Sequence, residues 1–225
     1  YLGDTPETFS YEGKEYTPQS FAASLDLNLN DYVELTSYQM YPFYEEVELT
    51  IPDNWMHARY YNLPIDELME VMNNALKNGY SVCWDGDVSH NGFSHPNGLA
   101  ILPTNNPEEM INAEIDKWTT LSAKDRERKM QSFESPVPEM KVDDNKRQFT
   151  FNNRQTTDDH LMHITGMLKD QNGTIYYMTK NSWGEDRNPF GGYLYMSEPF
   201  CRLQTVAIMV HKDAIPKAIR KKLGL

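Results

Sequence analysis

The sequence predicts an α+β fold, in which an antiparallel β-barrel or strongly bent sheet forms the C-terminal part and helices precede it. Two observations lead to this prediction. From residue 160 onwards, four strand-like apolar runs follow one another, and turn-forming residues separate them. Earlier in the chain, two segments combine the apolar spacing of a helix with residues that start or stop one.

The four predicted strands are His160–Met167, Ile175–Lys180, Gly192–Met196 and Thr205–Val210. Between the first two lies Gln171-Asn172-Gly173, a strong hairpin signal. Strands joined by short turns pair with their neighbours in the chain. We therefore predict a β-meander that closes into a barrel or bends strongly.

Two helices are predicted in the first 80 residues. Thr17 followed by Pro18 is the pattern of an N-cap and a first-turn proline, and predicts a helix through Leu25. Pro64 stands in the first turn of a stronger helix with one apolar face, and Gly79 supplies its end.

Between this helix and the meander, the sequence predicts a strand at Tyr80–Asp85 and a long irregular loop over 87–107. Ser122 opens a pattern that resembles a capping box, and predicts an exposed polar helix to about residue 131. Residues 134–148 contain two prolines and many charges, and are predicted to be a surface excursion. A further short strand is predicted at Val47–Ile51, where apolar and polar residues alternate.

Composition and charge exclude several classes of partner. The net charge of −12 repels phosphate backbones, so nucleic acid is not an expected partner. No apolar run approaches the roughly 20 residues that span a bilayer, so no membrane partner is expected either. The histidines outside the meander, together with the two cysteines, lack metal-ligand spacing. We predict no metal and no cofactor.

The chemistry of the meander centres on His160 and Asn181. His160 opens one predicted strand, Asn181 closes the next, and Ser-Trp-Gly follows. A cysteine nucleophile needs an imidazole to take its proton and a third group to orient that imidazole. An asparagine side-chain oxygen can orient the ring without adding a charge. Two neighbouring strands would hold both side chains rigidly.

A structural interpretation competes with this functional one. A single histidine at a strand start is usually structural, and Lys180-Asn181-Ser182 alone is an ordinary turn. The combination of His160, Asn181, Trp183-Gly184 and Gly192-Tyr193 in this order favours a functional site, because tryptophan and glycine at fixed places are rare by chance.

These motifs resemble those of the papain-like cysteine peptidases, and in particular the bleomycin hydrolase and aminopeptidase C branch. The segments that carry the resemblance to this branch are Tyr16–Phe21, Gly79–Val88, Asp158–Met162, Asn181–Asp186 and Val210–Lys217. The resemblance covers nearly the whole chain, but only the C-terminal portion of the expected enzyme. It implies the right-hand antiparallel β-barrel half of such a peptidase with helical insertions. Residues 1–62 would then be an inserted or linking segment, and residues 63–225 the barrel domain.

By position, the resemblance implies that His160 is the general base and that Asn181 orients it. Trp183 would shield their hydrogen bond, and Asp159 would be a nearby acid. His163 should point to the opposite face of its strand, where we expect it to be packed or hydrogen-bonded. The substrates would be peptides, hydrolysed through an acyl-enzyme, and the enzyme would be an aminopeptidase.

The nucleophile is where this sequence departs from the family. The family cysteine begins a helix and follows an oxyanion-binding glutamine, and no cysteine of this chain stands at the required spacing before His160. Cys83 lies in a predicted strand without the family motif, and Cys201 follows the asparagine. Both are interpreted as buried structural thiols. We therefore expect the nucleophile upstream of Tyr1 or on a companion chain, with a processed or truncated start.

The remaining expectations concern partners and compartment. The N-terminal half of the same enzyme is the expected partner, and a homo-oligomer is possible in this family. The short C-terminal helix leaves the choice between exopeptidase and endopeptidase open. The family default is cytoplasmic, but an exported form would look the same. A catalytically inactive papain-like module, used for binding or assembly, is the alternative to an enzyme.

Overall fold

A computed structural model describes residues 3–111 and 115–225. The chain divides into two compact units, residues 1–32 and 33–225. In the first, β1 (Phe9–Tyr11) and β2 (Lys14–Tyr16) form an antiparallel hairpin. Helix α1 (Pro18–Ser24) follows, and the predicted N-cap is confirmed: the side chain of Thr17 accepts from the backbone N–H of Ser20. Phe21 packs edge-on against three aromatic rings of the hairpin.

The second unit contains most of the regular structure. Its first elements are β3 (Tyr32–Thr36), β4 (Glu46–Glu48), β5 (Arg59–Asn62), α2 (Ile65–Lys77), β6 (Val82–Gly86), β7 (Phe93–Ser94), β8 (Leu99–Ala100) and β9 (Met110–Ile111). The later elements are α3 (Ile115–Thr119), α4 (Ala123–Ser132), β10 (Glu139–Met140), α5 (Asp144–Asn152), β11 (His160–Lys169), β12 (Ile175–Lys180), β13 (Tyr193–Ser197), α6 (Glu198–Gln204), β14 (Thr205–His211) and α7 (Lys217–Leu223).

A ten-stranded sheet organises this unit, in the order β4-β5-β3-β14-β6-β11-β12-β13-β8-β7. The α+β fold class is thereby confirmed. The predicted meander holds for β11, β12 and β13, which pair in succession and antiparallel. Its fourth strand was misplaced, because β14 pairs with β6 rather than with β13. Helix α6 causes the difference, since it carries the chain from β13 across to the other side of β6.

The main core lies between this sheet and helix α2. The buried face of α2 includes Leu68, Met72 and Ala75, as its apolar spacing predicts. On the sheet, Trp84 is fully buried, and its indole N–H donates to the hydroxyl of Thr205 at 2.7 Å. This bond joins β6 to β14. Among the described residues, no helix is long and apolar enough to cross a bilayer.

Two parts of the chain differ from the sequence-based expectation. Residues 134–148 are not a surface excursion, because Glu139 and Arg147 in this stretch are buried. Arg147 donates to backbone carbonyls of Arg202, Leu203 and Thr205, and so satisfies the C-terminal end of α6. The second difference is the division of the chain, predicted after residue 62 but observed after residue 32. Strands β3, β4 and β5 belong to the ten-stranded sheet, so they fold with the larger unit.

Candidate active site

His160 and Asn181 lie side by side at neighbouring strand ends. His160 is the first residue of β11, and Asn181 directly follows β12. The Nε2 atom of His160 is 2.9 Å from the Oδ1 atom of Asn181. Asn181 is 5% exposed, so this hydrogen bond is screened from water on the asparagine side. Because Nε2 is engaged, Nδ1 is the ring nitrogen left to face a reacting group.

A backbone group determines which way the Asn181 amide points. The N–H of Ser182 donates to Oδ1 of Asn181 at 2.7 Å. A backbone N–H can only donate, so the atom it contacts is the amide oxygen and not the nitrogen. Oδ1 therefore accepts from both Ser182 and His160. His160 in turn must carry its hydrogen on Nε2.

Trp183 covers this pair. Its ring lies 5.0 Å from the ring of His160, at an interplanar angle of 40°. Trp183 also packs edge-on against two further rings, with centroid distances of 5.8 Å to Phe93 and 5.2 Å to His95. The tryptophan is 41% exposed, so one side of it still faces outwards. The ring contact places Trp183 against His160, and its role in shielding the pair stays a prediction.

Carboxylates tie the segment before His160 to the end of β6. The backbone N–H of Val88 donates to Oδ1 of Asp159 at 2.9 Å. Burial raises the pKa of Asp159, and the Val88 N–H opposes that shift. Asp87 accepts from both the N–H and the hydroxyl of Thr157. Asp159 thus acts on the backbone beside His160, and no hydrogen bond joins it to the imidazole among the described residues.

His160 also lines a groove of about 660 Å³ on the outer side of β6, β11 and β14. Five carboxylates line the same groove: Glu34, Asp53, Asp85, Asp158 and Asp159. No lysine or arginine is among the described residues that line it. The groove is therefore strongly electronegative, and a positively charged group would be stabilised in it.

Two of these carboxyl groups have raised pKa values. Burial, the charge of Asp158 and the hydrogen bond that protonated Asp85 donates to Asp158 raise the pKa of Asp85 to about 8. Burial also raises the pKa of Asp158. At neutral pH this half-buried pair therefore retains one proton, because two adjacent carboxylates cannot both ionise cheaply in a low dielectric.

Neither cysteine of this chain is placed to react with His160. Cys83 is only partly buried and lines the same groove as His160, so its interpretation as a buried thiol is wrong. It is paired with His163 on β11, whereas His160 is paired with Gly86. That offset is three residues along the strand, or roughly 10 Å. Burial and the charges of Asp85 and Glu34 raise the pKa of Cys83, and burial raises that of Cys201 well above its usual range. Both thiols are thus disfavoured as thiolates, which is the reactive form.

The other predicted positions fall outside the site. His163 is exposed on the face opposite to Met162 and Ile164. The expectation that it would be packed is therefore wrong. In the described parts of the chain, no three His, Cys, Asp or Glu side chains are grouped to hold a metal ion.

Sequence reasoning missed His95, whose Nδ1 is 3.4 Å from Nδ2 of Asn181. No local pattern could identify it, because His95 reaches the site only when β8 pairs with β13.

A histidine and an asparagine presented from neighbouring antiparallel strands, under a tryptophan, match the arrangement expected of the papain-like cysteine peptidases. The comparisons with known proteins support the same class. Residues 138–224, which contain all three side chains, match the family model described as the Peptidase C1-like family. No curated protein matches the chain in sequence.

A solved structure shares the fold. PepW from Lactobacillus rhamnosis HN001 is similar with a TM-score of 0.67 and 20% identity, over 99% of this chain and 47% of PepW. Bromelain from Ananas comosus, in complex with the E64 inhibitor, gives a TM-score of only 0.32 at 12% identity, over 64% of this chain and 45% of bromelain. That second likeness is too weak to bear on the fold. The chain spans about half the length of PepW.

Proposed function

We propose that this chain is the base-bearing half of a cysteine peptidase of the bleomycin hydrolase and aminopeptidase C type. The observation that carries the proposal is the 2.9 Å contact between Nε2 of His160 and Oδ1 of Asn181, with Oδ1 held by the N–H of Ser182. A histidine oriented in this way is ready to accept a proton at Nδ1. The nucleophilic cysteine would come from a preceding part of the same protein or from a companion chain.

The first half of the reaction would form an acyl-enzyme. Nδ1 of His160 takes the proton of the cysteine thiol, and Asn181 stabilises the imidazolium through Nε2–H. The thiolate attacks the carbonyl carbon of the scissile peptide bond. The imidazolium then gives its proton to the departing amine, the C–N bond breaks, and a thioester remains.

The second half would release the acid product. His160, now neutral, takes a proton from water, and the resulting hydroxide equivalent attacks the thioester carbonyl. The thiolate leaves and is again paired with the imidazolium. In both halves Trp183 limits the access of water to the His160–Asn181 bond, which strengthens that bond in its less polar surroundings.

Exposed apolar side chains beside His160 support the proposal that a partner half covers this surface. Trp55 is 77% exposed, Met56 72%, Leu161 62% and Met209 37%, and all four border the groove that His160 lines. Side chains of this size are costly to leave in water together. The N-terminal half of the enzyme is the occupant that would cover part of them and bring the cysteine to His160. A homo-oligomer, which the family resemblance also suggests, would be detected by light scattering of the complete protein.

The acidic groove supports the aminopeptidase assignment. The substrate of an aminopeptidase carries a protonated α-amine close to the scissile bond. Carboxylates at Asp85 and Asp158 lie in the groove that His160 lines, where they would attract that amine. An amine in this position would replace the proton that Asp85 retains at neutral pH. An N-acetylated substrate would lose this attraction.

The alternative is a catalytically inactive papain-like module that serves binding or assembly. It is favoured by the raised pKa values of Cys83 and Cys201, by the complete burial of Cys201, and by the register offset between Cys83 and His160. Against it stands the intact His160–Asn181 hydrogen bond, which a binding module does not need.

Labelling with an epoxide thiol inhibitor decides between enzyme and inactive module. The protein is purified from cells that express the complete gene, and the modified peptide is identified by mass spectrometry. We expect an adduct on a cysteine outside this chain, strongly reduced by His160→Ala and unaffected by His163→Ala, since His163 is exposed away from the site. No adduct on any cysteine would favour the inactive module. An adduct on Cys83 would show that the nucleophile assignment is wrong.

A pair of substrates tests the aminopeptidase assignment separately. A fluorogenic peptide with a free amine should be cleaved roughly 10- to 100-fold faster than its N-acetylated form, as expected for a charge-assisted interaction. Asp85→Asn should reduce this ratio, and Glu127→Gln, on exposed α4, should not. Equal turnover of the two substrates would contradict the assignment and leave the peptidase proposal standing.

A further inference from the structure

His95 is a buried histidine directly behind Asn181. It lies in the short connection between β7 and β8, where its carbonyl accepts from the N–H of Gly98 at 3.0 Å and closes a turn. Its side chain is 4% exposed. Nδ1 of His95 is 3.4 Å from Nδ2 of Asn181, which places it on the opposite side of the amide from His160.

The chemistry of the amide determines how His95 must be protonated. Because the N–H of Ser182 identifies Oδ1, the group that faces His95 is the NH₂ of Asn181. An NH₂ group donates, so Nδ1 of His95 has to be the unprotonated, accepting nitrogen. His95 is then neutral with its hydrogen on Nε2. If Nδ1 were protonated, two donors would face each other and push the amide away.

The surroundings keep His95 neutral. Burial lowers its pKa, and the charges of Arg187 and of protonated His160 lower it further. Its Nε2 atom is buried and has no hydrogen-bond partner within the described residues. A buried polar atom without a partner is unfavourable for folding. The unpaired Nε2 atom therefore makes a histidine costly at this position. The hydrogen bond that Nδ1 accepts from Asn181 explains why a histidine is nevertheless useful there.

We propose that His95 is a positioning residue: it accepts from the NH₂ of Asn181 and so keeps Oδ1 of Asn181 directed at His160. The inference rests on the proposed function, since it concerns the same histidine–asparagine pair. At 3.4 Å the contact is longer than an ideal hydrogen bond, so its main effect is orientation. An amide with an acceptor on one side and a donor on the other has only one favourable rotation.

Histidine ring NMR of the ¹⁵N-labelled chain tests the inference without an activity assay. We expect wild-type His160 to carry its hydrogen on Nε2, and wild-type His95 to be neutral with its hydrogen also on Nε2. In His95→Phe, an aromatic ring against Trp183 is kept but the acceptor is lost. The ratio of Nε2–H to Nδ1–H tautomer at His160 should then fall by roughly a factor of two to ten, the effect of one hydrogen bond.

Conservative and control variants separate positioning from packing. His95→Gln can accept through its side-chain oxygen, and should restore the His160 ratio to near the wild-type value. His90→Phe alters a neighbouring half-buried histidine, which accepts from Gly92 and not from the site, and should leave the ratio unchanged. An unchanged ratio in a folded His95→Phe variant would overturn the inference.

One outcome needs no variant. If wild-type His95 carries its hydrogen on Nδ1, it cannot accept from Asn181, and the inference is wrong even where a substitution prevents folding. If instead wild-type His160 shows no preference for Nε2–H, the His160–Asn181 bond is absent and the proposed function itself fails. The two failures are therefore distinguishable in a single wild-type spectrum.

Discussion

Asp87 binds Thr157 through two hydrogen bonds, from the backbone N–H at 2.7 Å and from the hydroxyl at 3.1 Å. Asp87 directly follows β6, and Thr157 lies three residues before His160. Its carboxylate is 1% exposed, so the two bonds form in a water-poor environment. This relationship fixes the path by which the chain enters β11. The orientation of the candidate base thus depends on a residue that follows a different strand.

Removal of this carboxylate should destabilise the protein and loosen His160. Asp87→Ala leaves the N–H groups of Thr157 and Ser89 without their acceptor, and should lower the free energy of unfolding by about 1–3 kcal/mol. Thr157→Val removes only the hydroxyl bond, and should lower it by about 0.5–1.5 kcal/mol. Urea unfolding measures both values. Equal losses in the two variants would contradict the role given to Asp87.

Stability should fall between about pH 4 and pH 8 because of Asp85. The pKa of Asp85 is raised to about 8 in the folded protein, from 3.8 in an unperturbed carboxyl, so the folded state binds the proton more tightly. The stabilisation that results is complete below the pKa of Asp85 in the unfolded chain. It is lost as the pH rises through the pKa of Asp85 in the folded protein. The slope is at most about 1.4 kcal/mol per pH unit, and solvent at this half-buried groove reduces it.

The substitution Asp85→Asn isolates this effect. Asparagine has nearly the same shape as aspartate but no carboxyl group that could bind or release a proton. The unfolding free energy of the variant should therefore depend less on pH between 4 and 8. Glu127→Gln removes the same charge from the exposed surface of α4 and should keep the wild-type slope. Chemical denaturation at four or more pH values provides the comparison. A variant slope equal to that of wild type would show that Asp85 does not hold the proton.

Gly86 cannot accept a side chain without moving the site. It is the strand partner of His160 on one side and of Thr205 on the other. A Cβ atom at this position would overlap the carbonyl oxygen of Gln204 and the ring of Trp84. Gly86→Ala should therefore cost about 1–3 kcal/mol of stability, the usual range for overpacking. Gly166→Ala is the control, because its Cβ would meet only the side chain of Met178 at 3.4 Å.

Arg147 should be among the most sensitive positions outside the site. Its side chain is 1% exposed, donates to four backbone carbonyls, and stacks over the ring of Tyr38 at 5.1 Å. Arg147→Met leaves these buried carbonyls without donors, and should lower the unfolding free energy by roughly 3–5 kcal/mol. Arg128→Met, at an exposed position on α4, should change it by less than about 1 kcal/mol. Similar losses in both would contradict this role.

Local sequence patterns predicted the elements whose formation depends on nearby residues. The cap at Thr17, the apolar face of α2 and strands β11 to β13 could be read in this way, since the helix spacing, the turn residues and the hairpins are all local. Burial of residues 134–148 could not be read from composition. In the sequence Arg147 resembles a surface charge, and only the folded structure places the carbonyls of Arg202 and Thr205 within its reach.

For the site, the order of motifs in the sequence determined which side chains to examine. His160, Asn181 and Trp183 stand out by residue type and spacing, because the chemistry of a histidine base requires an orienting group and a cover. Only the tertiary structure decided what surrounds them. Long-range strand pairing places β14 beside β6, assembles the carboxylates of the groove from separate segments, and brings His95 behind Asn181. Such contacts depend on how distant segments pack, and no local pattern of residues encodes them.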